Sequence, residues 1–406
     1  MDSVALRRLG FRLLWIALGV AFAFLVQWVA LSSGQFNSNG QRLFFLAGLY
    51  VTLAVSLNLI NGITGQFSMG HAAFYQVGAY TTGVLAAKFY SDGAGLASKY
   101  PLPWLIGMMF AGGLVAALAG FIVGLPSLRL KGDYLAIVTL GFGEIIRIIV
   151  QNQKSLGGSY GMDVKPKIDF IWLSTLLAIA TIAISRNLLK NVHGLAFLAV
   201  REDEVASSAM GVRVTRIKIA AFLLGSALAG AAGALLAHHE TFISKDTFPM
   251  DLSFIIVTMV VLGGTGSITG STLAAITLYL IPERMRDLKD VPVSYAALGV
   301  IMLIVTVAFV RRTMEKDFSK LRTVKLVAPW FVSIVVVAVG GAALKNVGPL
   351  SKVIDGQQLR FVIFALTLIT LMLLRPQGIF AHHEFSLQWL KKVLARFTKR
   401  SGEVAS

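Results

Sequence analysis

VTMVVLGGTGSITGSTLAAI, residues 257–276, sets a glycine-punctuated stretch, Gly263 to Gly270, inside an apolar run that extends over 252–281. The run is longer than the about 20 residues that carry a helix across a bilayer. A glycine costs a helix interior about 1 kcal/mol relative to alanine. Gly263, Gly264, Gly266 and Gly270 therefore predict that no single helix continues through this run. Whether the chain crosses here or turns back decides the topology of everything that follows, and the charges outside the run answer that question.

Those charges are few and one-sided. The chain has 406 residues, of which 56% are hydrophobic and only 14% charged. A soluble domain carries about a quarter charged residues, so this chain cannot cover a water-exposed surface. Apolar segments recur at 13–31, 43–60, 66–87, 102–125, 133–150, 170–185, 219–237, 252–281, 291–310, 327–344 and 361–374. Helices satisfy their own backbone polar groups in lipid. The expected fold is therefore an all-α, polytopic transmembrane bundle of about ten full spans plus one broken or re-entrant segment.

The net charge of +17 lies mostly between the apolar segments. It fits the positive-inside rule better than a nucleic-acid surface. Loops 186–218 and 311–326 and the basic tail 381–406 are expected in the cytoplasm, together with an N-terminus carrying Arg7, Arg8 and Arg12. The run 13–31 is long for a signal peptide and is read as a retained first span. Counting crossings from there leaves loop 311–326 on the wrong side if 252–281 crosses once. A turn at GGTGSITG puts every basic loop inside.

A second glycine-punctuated stretch, NGITGQFSMGHAAF, occupies residues 61–74, and the tripeptide ITG occurs in both (63–65 and 268–270). Paired glycine-interrupted segments in two halves of a chain point to a translocation site. Gly65, Gln66, Ser68, Gly70 and His71 from the first stretch and Gly263, Gly264 and Gly266 from the second are candidate path residues. Close helix packing is the competing explanation for the glycines. Glu144 joins the candidates, because a carboxylate within an apolar run pairs or lines a path, and Arg147 stands on the same helix face.

Other motifs carry less. LSSGQ at 31–35 looks like an ATPase signature, but no phosphate-cradling loop ending in Lys-Ser or Lys-Thr is present. HHE occurs at 238–240 and 382–384. Adjacent histidines on a helix diverge and make poor co-ligands, so both read as interfacial residues and no metal is expected. There is no cysteine, hence no disulfide or thiolate chemistry. No catalytic set is nominated, and no cofactor is expected on this chain.

Four stretches are similar to one family. NGITGQFSMGHAAFYQVGAYTTGVL (61–85), LRLKGDYLAIVTLGFGEIIRIIVQN (128–152), AVREDEVASSAMGVRVTRIKIAAFLLGSALAGAAGAL (199–235) and LRPQGIF (374–380) resemble, in order, signatures of the branched-chain amino acid type permeases of ABC importers. The likeness is strongest to the M-type subunit, and urea and amide permeases share much of the pattern. A departure follows IPERMRD (281–287): residues 291–355 add an apparent extra helical hairpin to a permease domain of 1–380.

The resemblance implies a role for REDEVASSAMG, residues 201–211. It matches the cytoplasmic segment through which such permeases dock on an ATPase, with Glu202, Asp203, Glu204, Ala206, Ala209 and Gly211 as coupling residues. Acids favour a helix N-terminus, small residues permit close approach and glycine ends the helix. The resemblance further implies a bacterial inner-membrane location, a homologous second permease, two ATPase subunits working on ATP-Mg and an external binding protein. Leu, Ile and Val are the implied cargo, with urea or short amides as the alternative. An ion-coupled secondary transporter would need more intramembrane acids than Glu144, and a membrane-embedded enzyme has no nominated site.

Overall fold

A computed structural model of the chain describes residues 3–32, 38–89, 96–127, 130, 132–285, 291–292 and 353–354. The chain divides near residue 276 into two units, and nearly all the described residues belong to the first.

The first unit is built from helices α1 (Ser3–Ser32), α2 (Ser38–Asn58), α3 (His71–Phe89), α4 (Leu96–Lys99), α5 (Pro101–Ser127), α6 (Asp133–Asn152), α7 (Ile171–Lys190), α8 (Val192–Glu202), α9 (Glu204–Ala209), α10 (Val214–Glu240) and α11 (Met250–Gly263). α12 (Ile268–Met285) begins in this unit and ends in the second. α10 lies at the centre, against α5, α3 and α2. Its sequence GSALAGAAGALLA explains why: lipid gives no hydrophobic drive between helices, so close backbone approach supplies the packing. A methyl on Gly78 of α3 would fall 2.0 Å from the Gly230 carbonyl oxygen of α10, and one on Gly230 would fall 2.5 Å from the Gly112 carbonyl oxygen of α5. α2 packs on α7 through Gly48 and Ser174, and α1 lies outside α7, with Phe24 stacked on Trp172 at 5.0 Å.

Much of the exposed helix surface is apolar. Phe22 and Trp28 of α1, Phe110 and Ile122 of α5, and Ile137 and Ile145 of α6 are all exposed, the distribution expected where the outer solvent is lipid or another membrane subunit. Among the described residues, six helical stretches are long and apolar enough to span: 40–63, 101–125, 134–152, 171–190, 214–240 and 245–263. Ala17–Leu31 and Ile268–Leu280 are shorter. The expected run 66–87 is not helical from its start, because the backbone stays out of helix until His71. The runs 291–310, 327–344 and 361–374, the second HHE and the tail 381–406 lie outside the described residues.

At one end of the bundle the HHE of 238–240 closes the structure. His238 accepts a hydrogen bond from Trp104 Nε1 at 3.2 Å on Nε2, which leaves the proton on Nδ1 to donate to the Pro166 carbonyl at 2.9 Å. His239 Nδ1 approaches Asp169 at 2.6 Å, and Glu240 pairs with Arg42 at 2.9 Å. A two-residue antiparallel ladder, Met162 opposite Ile243, continues the tie. His238 and His239 fasten the 153–170 connection to α10 through Pro166 and Asp169, while Glu240 ties α10 to Arg42 of α2. Of the second unit, Val291 pairs with Ile354 and Pro292 with Val353.

Candidate functional site

The first helix break begins where α2 widens into a π turn, Leu59–Ile63. Thr64 terminates it by donating its hydroxyl towards the Leu59 and Ile60 carbonyls at 3.0 and 2.7 Å. From there the chain stays non-helical to Gly70. Such backbone survives inside a membrane protein only if its polar groups are met. Asn61 meets two of them, donating to the Ser68 carbonyl at 3.0 Å and accepting from the Ser68 amide at 3.1 Å. Met69 donates its amide to Thr139 Oγ1 at 3.0 Å. α3 then starts at His71, whose Nε2 lies 2.8 Å from Ser56 Oγ, and Ser253 of α11 accepts from the Ala72 amide at 3.2 Å. Gln66, Ser68, Gly70 and His71 are all buried; Gly65, with φ +70°, is exposed.

The second break is the expected one. α11 ends at Gly263 and α12 begins at Ile268, with Gly264 and Gly266 at φ +111° and +92° between them. Ser267 caps the new helix by accepting from the Gly270 amide at 3.1 Å. Gly263 backs directly on Gly270, where an added methyl would fall 2.4 Å from the carbonyl carbon.

The two breaks meet. Asn58 Oδ1 accepts from the Gly266 amide at 2.8 Å, and Asn58 Nδ2 donates to the Ser267 carbonyl at 3.1 Å. A methyl on Gly62 would sit 2.2 Å from the Gly266 nitrogen. Packing and interruption, set apart as alternatives in the sequence, are the same event at this contact: glycine is needed because two non-helical backbones touch.

The segment 201–211 forms its own short helix beside the breaks. Asp203 caps α9, accepting from the Val205 and Ala206 amides at 2.8 and 3.0 Å. Gly211, at φ +85°, leaves the helix, and the Val212 amide returns to the Ser207 carbonyl at 3.0 Å. Glu202 stands at the end of α8 rather than on α9. Glu202, Asp203, Ala206, Ala209 and Gly211 are exposed, and so are the apolar Val205 and Met210, at 71% and 85%. Glu204 turns inward and forms an ion pair with the buried Lys218 of α10.

Two basic residues carry this helix to the breaks. The Lys218 carbonyl accepts from Gln66 Nε2 at 3.5 Å, the outer limit of a hydrogen bond. Arg201 lies against both: a methyl on Gly65 would fall 3.4 Å from its Cα, and one on Gly266 would fall 2.5 Å from its Nη1. Charge patterning places Arg201 and Lys218 only within the basic loop 186–218 and does not single out Asn58 and Asn61. The available signal was two amides, three residues apart, in an apolar run next to a glycine break, since a buried amide needs partners.

Glu144 belongs to a neighbouring cleft. It pairs with Arg147 at 3.0 Å, both side chains about a third exposed (30% and 32%), and it faces Gly70, Gln76 and Ser253 rather than the contact between the breaks. Among the described residues no three His, Asp or Glu side chains are grouped to hold a metal ion.

A family model described as branched-chain amino acid transport system / permease component matches residues 39–307. The high-affinity branched-chain amino acid transport system permease protein LivM of Salmonella typhimurium is 35% identical over 294 residues, covering 64% of this chain and 66% of that protein. LivM of Escherichia coli is 35% identical over 297 residues, covering 64% and 67%. LivH of Escherichia coli, named a permease of the same transport system, is 24% identical over 295 residues, covering 66% and 92%. The chain thus spans about two thirds of the LivM relatives' length. No solved structure matches. With a matching family model over most of its length and multiple apolar helices carrying the match, the chain belongs to the branched-chain amino acid transport permease family.

Proposed function

We propose that the chain is one of two homologous permease subunits of an ABC importer in the bacterial inner membrane. It moves Leu, Ile and Val delivered by an external binding protein, driven by hydrolysis of ATP-Mg in two partner ATPases. The N-terminus, loop 186–218 and tail 381–406 lie on the cytoplasmic side. Residues 291–355 are an added hairpin on a permease domain of 1–380; the pairing of Val291 with Ile354 at its ends supports that reading.

The observation that carries the proposal is the linkage of α9 to the two breaks. α9 presents Val205 and Met210 outward, an apolar pair suited to a groove on an ATPase. Its inner side is bonded through Glu204 to Lys218, and Arg201 and the Lys218 carbonyl reach Gly65, Gly266 and Gln66. Movement of the docked helix therefore pulls on the two places where the membrane helices are already interrupted. Interrupted helices reorient more readily than continuous ones, which suits a rocking transition between inward- and outward-open states.

The test is uptake of labelled leucine and labelled urea by cells with and without this gene. Loss of leucine uptake alone is the expected result. Loss of urea uptake alone would keep the importer architecture and overturn the cargo.

A further inference from the structure

We infer that the cleft between α3, α6 and the start of α11 is a subsite for the charged end of an amino acid, holding its carboxylate near Gln76 and Arg147 and its ammonium on Glu144. The inference rests on the importer reading above and extends it to the chemistry of recognition.

The cleft is walled by Gly70, Ala73 and Gln76 at the start of α3 and by Gly143, Glu144 and Arg147 on α6. Pro249, Met250 and Ser253 close it from the first turn of α11. Gln76 is 1% exposed, yet its Nε2 has no hydrogen-bond partner among the described residues. A buried donor left unmet costs about 1–3 kcal/mol, a cost that an acceptor entering the cleft removes.

Three further features favour a carboxylate as that acceptor. Two long helices direct their N-termini at the cleft, and each end carries about half a positive charge. α3 has no acidic residue in its first turn. α11 has Asp251, but that side chain is exposed and is not part of the cleft wall. Ser253 accepts from the Ala72 amide and keeps its own hydroxyl proton to donate.

The ammonium is matched by Glu144. Glu144 and Arg147 share one contact, Nε to Oε2 at 3.0 Å, which leaves Oε1 and the guanidinium Nη groups for a ligand. Both side chains line the cleft and are about a third exposed. An ion pair within a membrane helix is costly unless it meets a partner or a path. A zwitterion brings one charge of each sign to that pair, so it binds without adding net charge. Leu140, Phe248 and Met250 complete the lining, and the cleft holds about 20 Å³ here, room for a small polar group rather than an aliphatic side chain. Urea, which has no charge, would use neither Glu144 nor the helix ends.

The test uses the complete importer, with its second permease, ATPases and binding protein, in proteoliposomes loaded with ATP. Gln76→Leu and Glu144→Gln should each lower leucine uptake by at least about tenfold, with Glu144→Asp retaining more uptake than Glu144→Gln. Uptake within about twofold of the parent in both neutral variants would overturn the subsite while leaving the importer reading intact. Failure of the parent importer to carry leucine would overturn both. Because the chain has no cysteine, Gly143→Cys gives an independent measurement should either variant fail to assemble. A methyl on Gly143 meets only ordinary contacts, at 3.7 Å, and the new thiol lies on the cleft wall. Its labelling by a methanethiosulfonate should slow when leucine-loaded binding protein is engaged. Equal labelling rates, in an importer that carries leucine, would overturn the subsite.

Discussion

Asn58 holds Gly266 across 208 positions of sequence, its Oδ1 accepting from the Gly266 amide at 2.8 Å. The same side chain donates to the next carbonyl, that of Ser267, at 3.1 Å. One amide thus meets a donor and an acceptor that the second helix break leaves open, and it does so from the last residue of α2 before the first break opens. The breaks are therefore joined by a residue that belongs to neither glycine-rich stretch.

Replacing Asn58 with Leu keeps the volume and removes both bonds. The Gly266 amide and Ser267 carbonyl lose their side-chain partner in a buried position, so the expected loss is about 1–3 kcal/mol of stability. Thermal unfolding of the detergent-purified protein measures it. An unchanged midpoint would show that the breaks are held together by something other than Asn58.

Gly62→Ala should be worse than its size suggests. The added methyl would lie 1.9 Å from Asn58 Oδ1 and 2.2 Å from the Gly266 nitrogen, and neither atom can withdraw without breaking the bond between them. Gly107 on α5 is the control, because among the described residues nothing lies within 4 Å of a methyl there. The expected outcome is loss of uptake for Gly62→Ala and parent-like uptake for Gly107→Ala. Similar uptake by the two would mean that the close approach at Gly62 relaxes without consequence.

What the sequence disclosed and what it withheld separate along a physical line. Helix interruptions are local: glycines at 263, 264 and 266 cannot hold an apolar helix together, and the break stands where they do. The capped helix at 204–209 is local too, set by Asp203 before it and Gly211 after it. The contacts that assemble the site are not local. Nothing near Asn58 announces Gly266, and nothing near Lys218 distinguishes it from the other basic residues of its loop until its 4% exposure is seen. Glu144 was legible as an intramembrane acid with Arg147 beside it. The cleft it faces was not, because Gln76 and Ser253 come from helices whose neighbours depend on the whole bundle.

Docking and internal bonding on α9 should separate by residue. Val205 and Met210 are exposed, so Val205→Glu and Met210→Glu should leave stability within about 0.5 kcal/mol while abolishing co-purification with the ATPase. Glu204→Lys acts on both counts: it sets a second positive charge against buried Lys218 and should lower stability by about 1.5–3 kcal/mol as well as releasing the ATPase. Co-purification at parent level in all three variants would show that α9 is not the docking element.

Gly65 and Gly264 test whether the breaks themselves are the moving part. Both sit at positive φ, +70° and +111°, where a leucine is strained by about 1–3 kcal/mol. Gly65→Leu would also press on Arg201, whose Cα and Cγ lie 3.4 Å from the methyl position. Either leucine should block uptake in membranes where the importer still assembles. Asparagine separates the two sites. It tolerates the left-handed region near φ +60°, so Gly65→Asn should recover part of the uptake lost in Gly65→Leu. Gly264, with φ 111° and ψ 118°, lies outside any region a side-chain-bearing residue favours, and Gly264→Asn should stay as inactive as Gly264→Leu. Equal recovery at both positions would mean that side-chain bulk, rather than backbone conformation, is what the breaks exclude. Full uptake in both leucine variants would remove the two positions from the path.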